Sequence, residues 1–264
     1  MTNNKELKAY LDTLVEQYNH PDFIANDPIS IPHKYVRLQD IEIVGFWTAI
    51  LSWGLRKTII NKANALFEDL MGGTPYDYIM NHKTSDLKRF LDFKHRTFNA
   101  TDTLYFIEFF KAFYTKHNSL EEAFLEGLKP DDDNMVNSLM TFHDTFFALD
   151  NAPQRTRKHV PTPIRKSACK RINMFLRWMV RNDNKGVDFG LWKNISADKL
   201  LIPLDLHVER TSVKLGLITV QNNKLKETIE LTNLLRALDP DDPVKYDFAL
   251  FGLGVMPNGL ELQR

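Results

Sequence analysis

The chain has 264 residues, as many Lys+Arg as Asp+Glu, and an apolar share of 43%, enough for a full-sized core. No apolar run reaches the roughly 20 residues needed to cross a bilayer, and the polar start MTNNKELKAY is not a secretory signal. Cys169 is the only cysteine, which excludes an internal disulfide framework, a thiolate zinc site and an iron–sulfur cluster built from this chain alone. The expectation is a cytoplasmic protein without a resident cofactor, a membrane segment or an obligate protein partner.

Strand signals are scarce and helical periodicity recurs along the chain. Leu7, Tyr10, Leu11 and Leu14 mark an opening amphipathic helix, and NDPISIPHKY, with Pro28 and Pro32, reads as a loop. Asp40 is expected to cap an apolar helix from about Ile41 to Trp53, bent or ended at Gly54. A helix over about Lys57 to Leu70 should stop at Gly72-Gly73, and Thr74-Pro75 should start another. The aromatics from Tyr105 to Tyr114 recur at helical spacing and are read as core. The acidic run 129–134 is a turn before a further helix. The fold class is therefore all-α, a single unit of two packed helical lobes over 1–264, with the 150–166 loop as a seam between them.

Charge is not evenly spread. Between Asp150 and Asp183 there is no acidic residue, while Arg155, Arg157, Lys158, Arg165, Lys166, Lys170, Arg171, Arg177 and Arg181 give that interval a charge of +9. Such asymmetry suits a one-sided surface for a polyanion.

Two windows after this run carry chemistry. In SACKRINMFLRWMVR, Ile172, Phe175, Leu176, Met179 and Val180 share one helical face, which sets Lys170 at the start of a buried helix. The helix dipole and apolar surroundings should disfavour its ammonium form and make it a nucleophile. In IPLDLHVERTSVKLGL, Pro203 and Asp205 mark a helix start, with Asp205 as N-cap and Val208, Ser212 and Leu215 as the buried stripe. An amine with a fixed carboxylate is a pair able to displace a base from a sugar and to stabilise an oxocarbenium ion.

LDLHVERTSVKLGL resembles the aspartate segment of the helix–hairpin–helix DNA glycosylase superfamily, and ILSWGLRKTIINKANALF resembles its early helix pair. The Gly-rich hairpin common in that superfamily, with its lysine eighteen positions before the aspartate, is absent here; that position is Val187. CKRINMFLRWM is more similar to the lysine helix of the archaeal 8-oxoguanine DNA glycosylase branch, which has an atypical hairpin and a longer lysine-to-aspartate spacing, thirty-five positions in this chain. That resemblance implies Lys170 and Asp205 as catalytic residues and Met174, Asp247, Phe251 and Trp53 as the base pocket. Asp247 and Phe251, four apart on a late helix, would hydrogen-bond and stack a flipped purine. DNA contacts would come from Arg56, Lys57, Arg155, Arg157, Lys158, Arg165, Lys166, Arg171, His207 and Arg210, with the basic loop in place of the hairpin. No metal site is implied. Over nearly its full length, in PTPIRKSACKRINMFLRWMVR, DFGLW and IPLDLHVERT, the chain also resembles an uncharacterised bacterial family with a domain-of-unknown-function label.

The expected function is excision of an oxidised purine such as 8-oxoguanine from duplex DNA, with an associated abasic-site lyase step. Two alternatives stand beside it. One is a non-catalytic nucleic-acid-binding protein on the same scaffold. The other is a metal phosphohydrolase built on the His143-Asp144 dipeptide with His82, His95 and His117.

Overall fold

The computed structural model describes residues 4–255. Its helices are α1 (Asn4–Tyr18), α2 (Leu38–Leu51), α3 (Arg56–Asn64), α4 (Pro75–Asn81), α5 (Ala100–Tyr114), α6 (Glu121–Leu125), α7 (Val136–Phe146), α8 (Lys170–Val180), α9 (Leu206–Lys214), α10 (Lys224–Leu238) and α11 (Tyr246–Val255). Short 3-10 turns join several of them, and among the described residues the only β pairing is an isolated bridge between His95 and Phe98. The fold is all-α. No helix among the described residues is long and apolar enough to cross a membrane.

Two compact units divide the described chain: residues 4–23, 130–136 and 162–255 form one, and 24–129 with 137–161 form the other. In the first, α11 lies against both α1 and α9. The contact is close because α11 carries Gly252 and Gly254. A Cβ at Gly252 would sit 2.3 Å from the Tyr18 ring, and one at Gly254 would sit 2.8 Å from the His207 Cβ. Around α11 the core gathers Leu11 of α1, Ile202 and Leu204, Val208 of α9, and Leu231 and Leu235 of α10. Burying these branched side chains is the main drive for the unit's assembly.

The second unit is built on aromatics. Phe46 and Trp47 of α2 meet Phe106 and Phe110 of α5, and Phe142 and Phe146 of α7, in offset and edge contacts. The aromatic run of α5 is therefore core, as its spacing predicts. Asp40 departs from expectation. The helix α2 begins at Leu38 with Arg37 as N-cap, and the Asp40 carboxylate instead accepts from the Tyr76 N–H (2.8 Å) in the first turn of α4. The following helix is also shorter than expected, because α3 gives way at Ala65 to a π-helical turn that runs to Leu70. Gly72 and Gly73 then adopt left-handed φ of 70° and 74° and end it.

Candidate functional site

Asp205 stands where a buried extended segment becomes a helix. Residues 200–204 are buried, and the Ile202 N–H donates to the Thr232 hydroxyl of α10 (3.1 Å), which fixes the approach. Asp205 is the N-cap of α9, as its sequence predicts, and its Oδ1 accepts from the backbone N–H groups of His207 (2.8 Å) and Val208 (2.9 Å). Both bonds fall on one oxygen. Among the described residues the other oxygen, Oδ2, carries no hydrogen bond or ion pair.

Lys170 is the first residue of α8, after Cys169 in a left-handed conformation (φ 47°). The Cys169 thiol is buried and pushed up to about 12 by that burial, so it is an inert core group. The expected apolar face of α8 is buried, from Ile172 through Phe175, Leu176 and Met179 to Val180. Lys170 lies opposite that face and is exposed, so the apolar surroundings anticipated for its amine are absent. Met174 is half-buried one turn on, and Arg171 is half-buried beside it, its pKa lowered to about 10 by burial and its charge intact at neutral pH. Among the described residues no hydrogen bond or ion pair joins Lys170 to Asp205.

The same α8 face continues into buried charge. Lys170, Met174, Arg177 and Arg181 recur at intervals of three and four. Arg177 pairs with Asp247 of α11 through Nη1 and with Asp188 through Nε (3.2 Å). Arg181 pairs with Asp183 (2.7 Å), Asp188 (3.1 Å) and Asp242 (2.9 Å). Asp247 is 5% exposed. Its carboxyl is held up at about 7: burial raises it most, Arg177 pulls it down, and the negative charges of Asp205 and Asp188 push it up. Asp247 and Asp205 therefore feel one another. Its Oδ2 is taken by Arg177 inside the unit, so the carboxylate that the resemblance assigns to the base pocket is paired with a buried arginine.

Phe251, one turn along α11, is half-buried, with its ring edge-on to Phe23 (6.4 Å) and His207 (5.8 Å). The His207 Nδ1–H donates to the Gly254 carbonyl (3.0 Å), so this histidine ties α9 to α11. Arg210 is exposed on the helix that Asp205 caps, and Arg165 and Lys166 are exposed on the turn before Lys170.

The +9 interval is not one basic surface, a second correction. Arg177 and Arg181 are buried and neutralised. In the other unit Arg155 is bound to Asp102, to the Asn99 side chain and to the Thr97 carbonyl (3.0 Å). Arg157 lies half-buried, its guanidinium 4.6 Å from the Phe147 ring centre, and Lys158 is exposed. Arg56 and Lys57 are exposed at the start of α3, and Trp53 is half-buried between His95 (4.8 Å, edge-on) and His159 (5.6 Å, stacked). The His143 ring packs on Phe147, and among the described residues no three His, Cys, Asp or Glu side chains gather as metal ligands. The phosphohydrolase alternative thus has no assembled ligand set.

Arg177 and Asp188 are the members of this site that sequence reasoning missed as such. Spacing on α8 was a usable signal for Arg177, which falls on the Lys170 face. Nothing local marks Asp188 as its partner.

A comparison with family profiles matches residues 27–256 to the family described as Protein of unknown function (DUF2400). No curated protein and no solved structure matches the chain.

Proposed function

Starting from a chain that belongs to this family of proteins of unknown function, we propose that it is a DNA base-excision glycosylase with an associated abasic-site lyase step. The reading extends the resemblance of the lysine and aspartate windows to the helix–hairpin–helix glycosylases, and its substrate is an oxidised purine such as 8-oxoguanine in duplex DNA. One observation carries it: an exposed lysine heads the α8 face that leads through Arg177 to Asp247, and Asp247 is electrostatically coupled to Asp205, a carboxylate with one oxygen fixed and one open.

In this mechanism the damaged nucleotide leaves the base stack and its sugar lies between Lys170 and Asp205. The open oxygen of Asp205 accepts a proton from the Lys170 ammonium and passes it to the departing base, so the carboxylate is charged again as positive charge grows on the sugar. The free amine forms a bond to C1′ as the glycosidic bond breaks, and the base leaves with the bonding electrons and takes up a proton. Ring opening gives an imine between Lys170 and C1′. Loss of a C2′ proton then expels the 3′ phosphate by β-elimination, and water releases the lysine. Met174 lines the base side of this space, and Asp247, held by Arg177, sets the field behind Asp205.

The absence of a Lys170–Asp205 contact favours one other reading, a non-catalytic nucleic-acid-binding protein on the same scaffold. Borohydride reduction during incubation with lesion-containing duplexes separates the two, since only the enzyme leaves a reducible imine on Lys170.

A further inference from the structure

A cavity of about 200 Å³ lies within the first unit, and none of the residues used in the proposed reaction lines it. Its walls come from α1, from the end of α8 with the segment after it, and from the turn before α11. The first of these supplies Asp12, Glu16 and Asn19, spaced four and three apart and so on one helix face. The others supply Arg181, Lys185 and Lys245, with Asp183 among them. Val15 is the one apolar lining side chain among the described residues.

The acids of α1 and the cations of the other walls meet in pairs, Lys185 with Glu16 (2.5 Å) and Lys245 with Asp12 (3.2 Å). Asp183 spends its charge beside the cations, accepting from Arg181 (2.7 Å), from Asn19 Nδ2 (2.7 Å) and from the Lys185 N–H (2.8 Å). Three carboxylates and three cations leave the lining without net charge. The Lys185–Glu16 pair opens most readily. Each has the other as its sole ion-pair partner among the described residues, and their side chains are 32% and 68% exposed, so separating them costs little. Asn19 is only 2% exposed, and its Oδ1 has no hydrogen-bond partner among the described residues. A buried acceptor without a donor is uncommon and marks a place where a water, an ion or a ligand group belongs.

We propose that this cavity binds a small free α-amino acid as its zwitterion, with the ammonium toward Glu16 and Asn19 and the carboxylate toward Lys185 and Lys245. The ligand is small because the volume falls below the roughly 300–1,000 Å³ of sites for drug-sized molecules, and Val15 alone offers apolar contact. It has no net charge because the lining has none: an inorganic anion would meet Asp12 and Glu16, and a metal cation would meet Lys185 and Lys245. It brings N–H donors because Glu16 and the Asn19 Oδ1 are acceptors. A zwitterion enters the Lys185–Glu16 pair and gives each side a charge-assisted partner, whereas the neutral hydrogen bonds of a polyol are about half as strong. The proposal goes beyond the proposed function and uses neither Lys170 nor Asp205.

Equilibrium dialysis of the full chain against labelled L-alanine, with no DNA present, tests this. Binding should saturate at one ligand per chain. Excess glycine should compete, whereas propionate, which lacks the ammonium, ethylamine, which lacks the carboxylate, and glycine betaine, which lacks an N–H, should not. Glu16→Gln and Lys185→Gln should each weaken binding roughly tenfold, and their unfolding midpoints should stay at that of the parent because an exposed pair contributes little. Exchanging the two charges, Glu16→Lys with Lys185→Glu, restores an ion pair but reverses the field. It should also lose binding, and it keeps the test valid if a single variant unsettles α1. Lys193→Ala, an exposed cation of the same unit outside the cavity, should bind as the parent does. The proposal is overturned if neither L-alanine nor glycine binds saturably, if propionate, ethylamine or glycerol competes as well as glycine, or if all three charge variants keep the parent's affinity.

Discussion

Arg177 and Asp247 form an ion pair whose side chains are only 5% and 7% exposed. Arg177 is shared with Asp188, and Asp188 is shared with Arg181, so two arginines of one helix face and their aspartates form a continuous buried network. Removing one partner from such a network leaves a charge with neither water nor counter-charge.

Arg177→Met should therefore cost about 3–5 kcal/mol of stability near neutral pH, read from the midpoint of urea unfolding at constant slope. The sign with pH follows from Asp247, whose carboxyl is held at about 7 in the fold, above its unfolded value. A raised acid contributes stability that is complete below its unfolded pKa and is lost as pH rises through its folded pKa. Without Arg177 the folded pKa rises further, so the variant should lose more at pH 8 than at pH 5.5. An equal loss at both would mean that Asp247 is not the group left exposed to the change.

Asp102 behaves in the opposite sense. Burial alone would raise its carboxyl, but His159, the Asn99 N–H and the Thr156 hydroxyl outweigh that and hold it at about 2. A depressed acid contributes stability present above its unfolded pKa and lost as pH falls through its folded one. The shift corresponds to about 2 kcal/mol. Asp102→Asn should lose that amount from pH 5 to 7, and its difference from the parent chain should vanish as the acid approaches pH 2. Denaturant melts across that range read it directly. Because Asp102 also binds Arg155, the variant should loosen the 154–158 turn, seen as faster amide exchange there.

Asp205 combines a cap and a charge, and two substitutions part them. Asp205→Asn keeps a side-chain oxygen for the His207 and Val208 N–H groups and should change stability by only a few tenths of a kcal/mol, whereas Asp205→Ala should cost about 1 kcal/mol. Both should abolish base excision. Full excision by Asp205→Asn would make this aspartate a cap alone.

Local patterns in the sequence carried much of this. Pro75 at the first position of α4, Asp205 as the N-cap of α9, the apolar stripe of α8 and the aromatic stripe of α5 all follow from nearest-neighbour chemistry, and all are found in the structure. What could not be read was which charges face inward. Counting cations from Arg155 to Arg181 treats them alike, yet Arg177 and Arg181 are neutralised by Asp188, Asp242 and Asp247, and Arg155 by Asp102, fifty-three positions earlier. Asp40 illustrates the same limit at a helix end, since its side chain caps α4 rather than its own helix.

The most direct test of the central claim is borohydride trapping on duplexes containing 8-oxoguanine, uracil or an abasic site, with the parent chain and Lys170→Gln side by side. The account predicts a covalent protein–DNA adduct on the 8-oxoguanine and abasic duplexes that disappears in Lys170→Gln, while the unfolding midpoint of the variant stays that of the parent. Equal trapping by Lys170→Gln would contradict it and move the nucleophile elsewhere, to Lys166 first, and the absence of any adduct with the parent chain would contradict it outright.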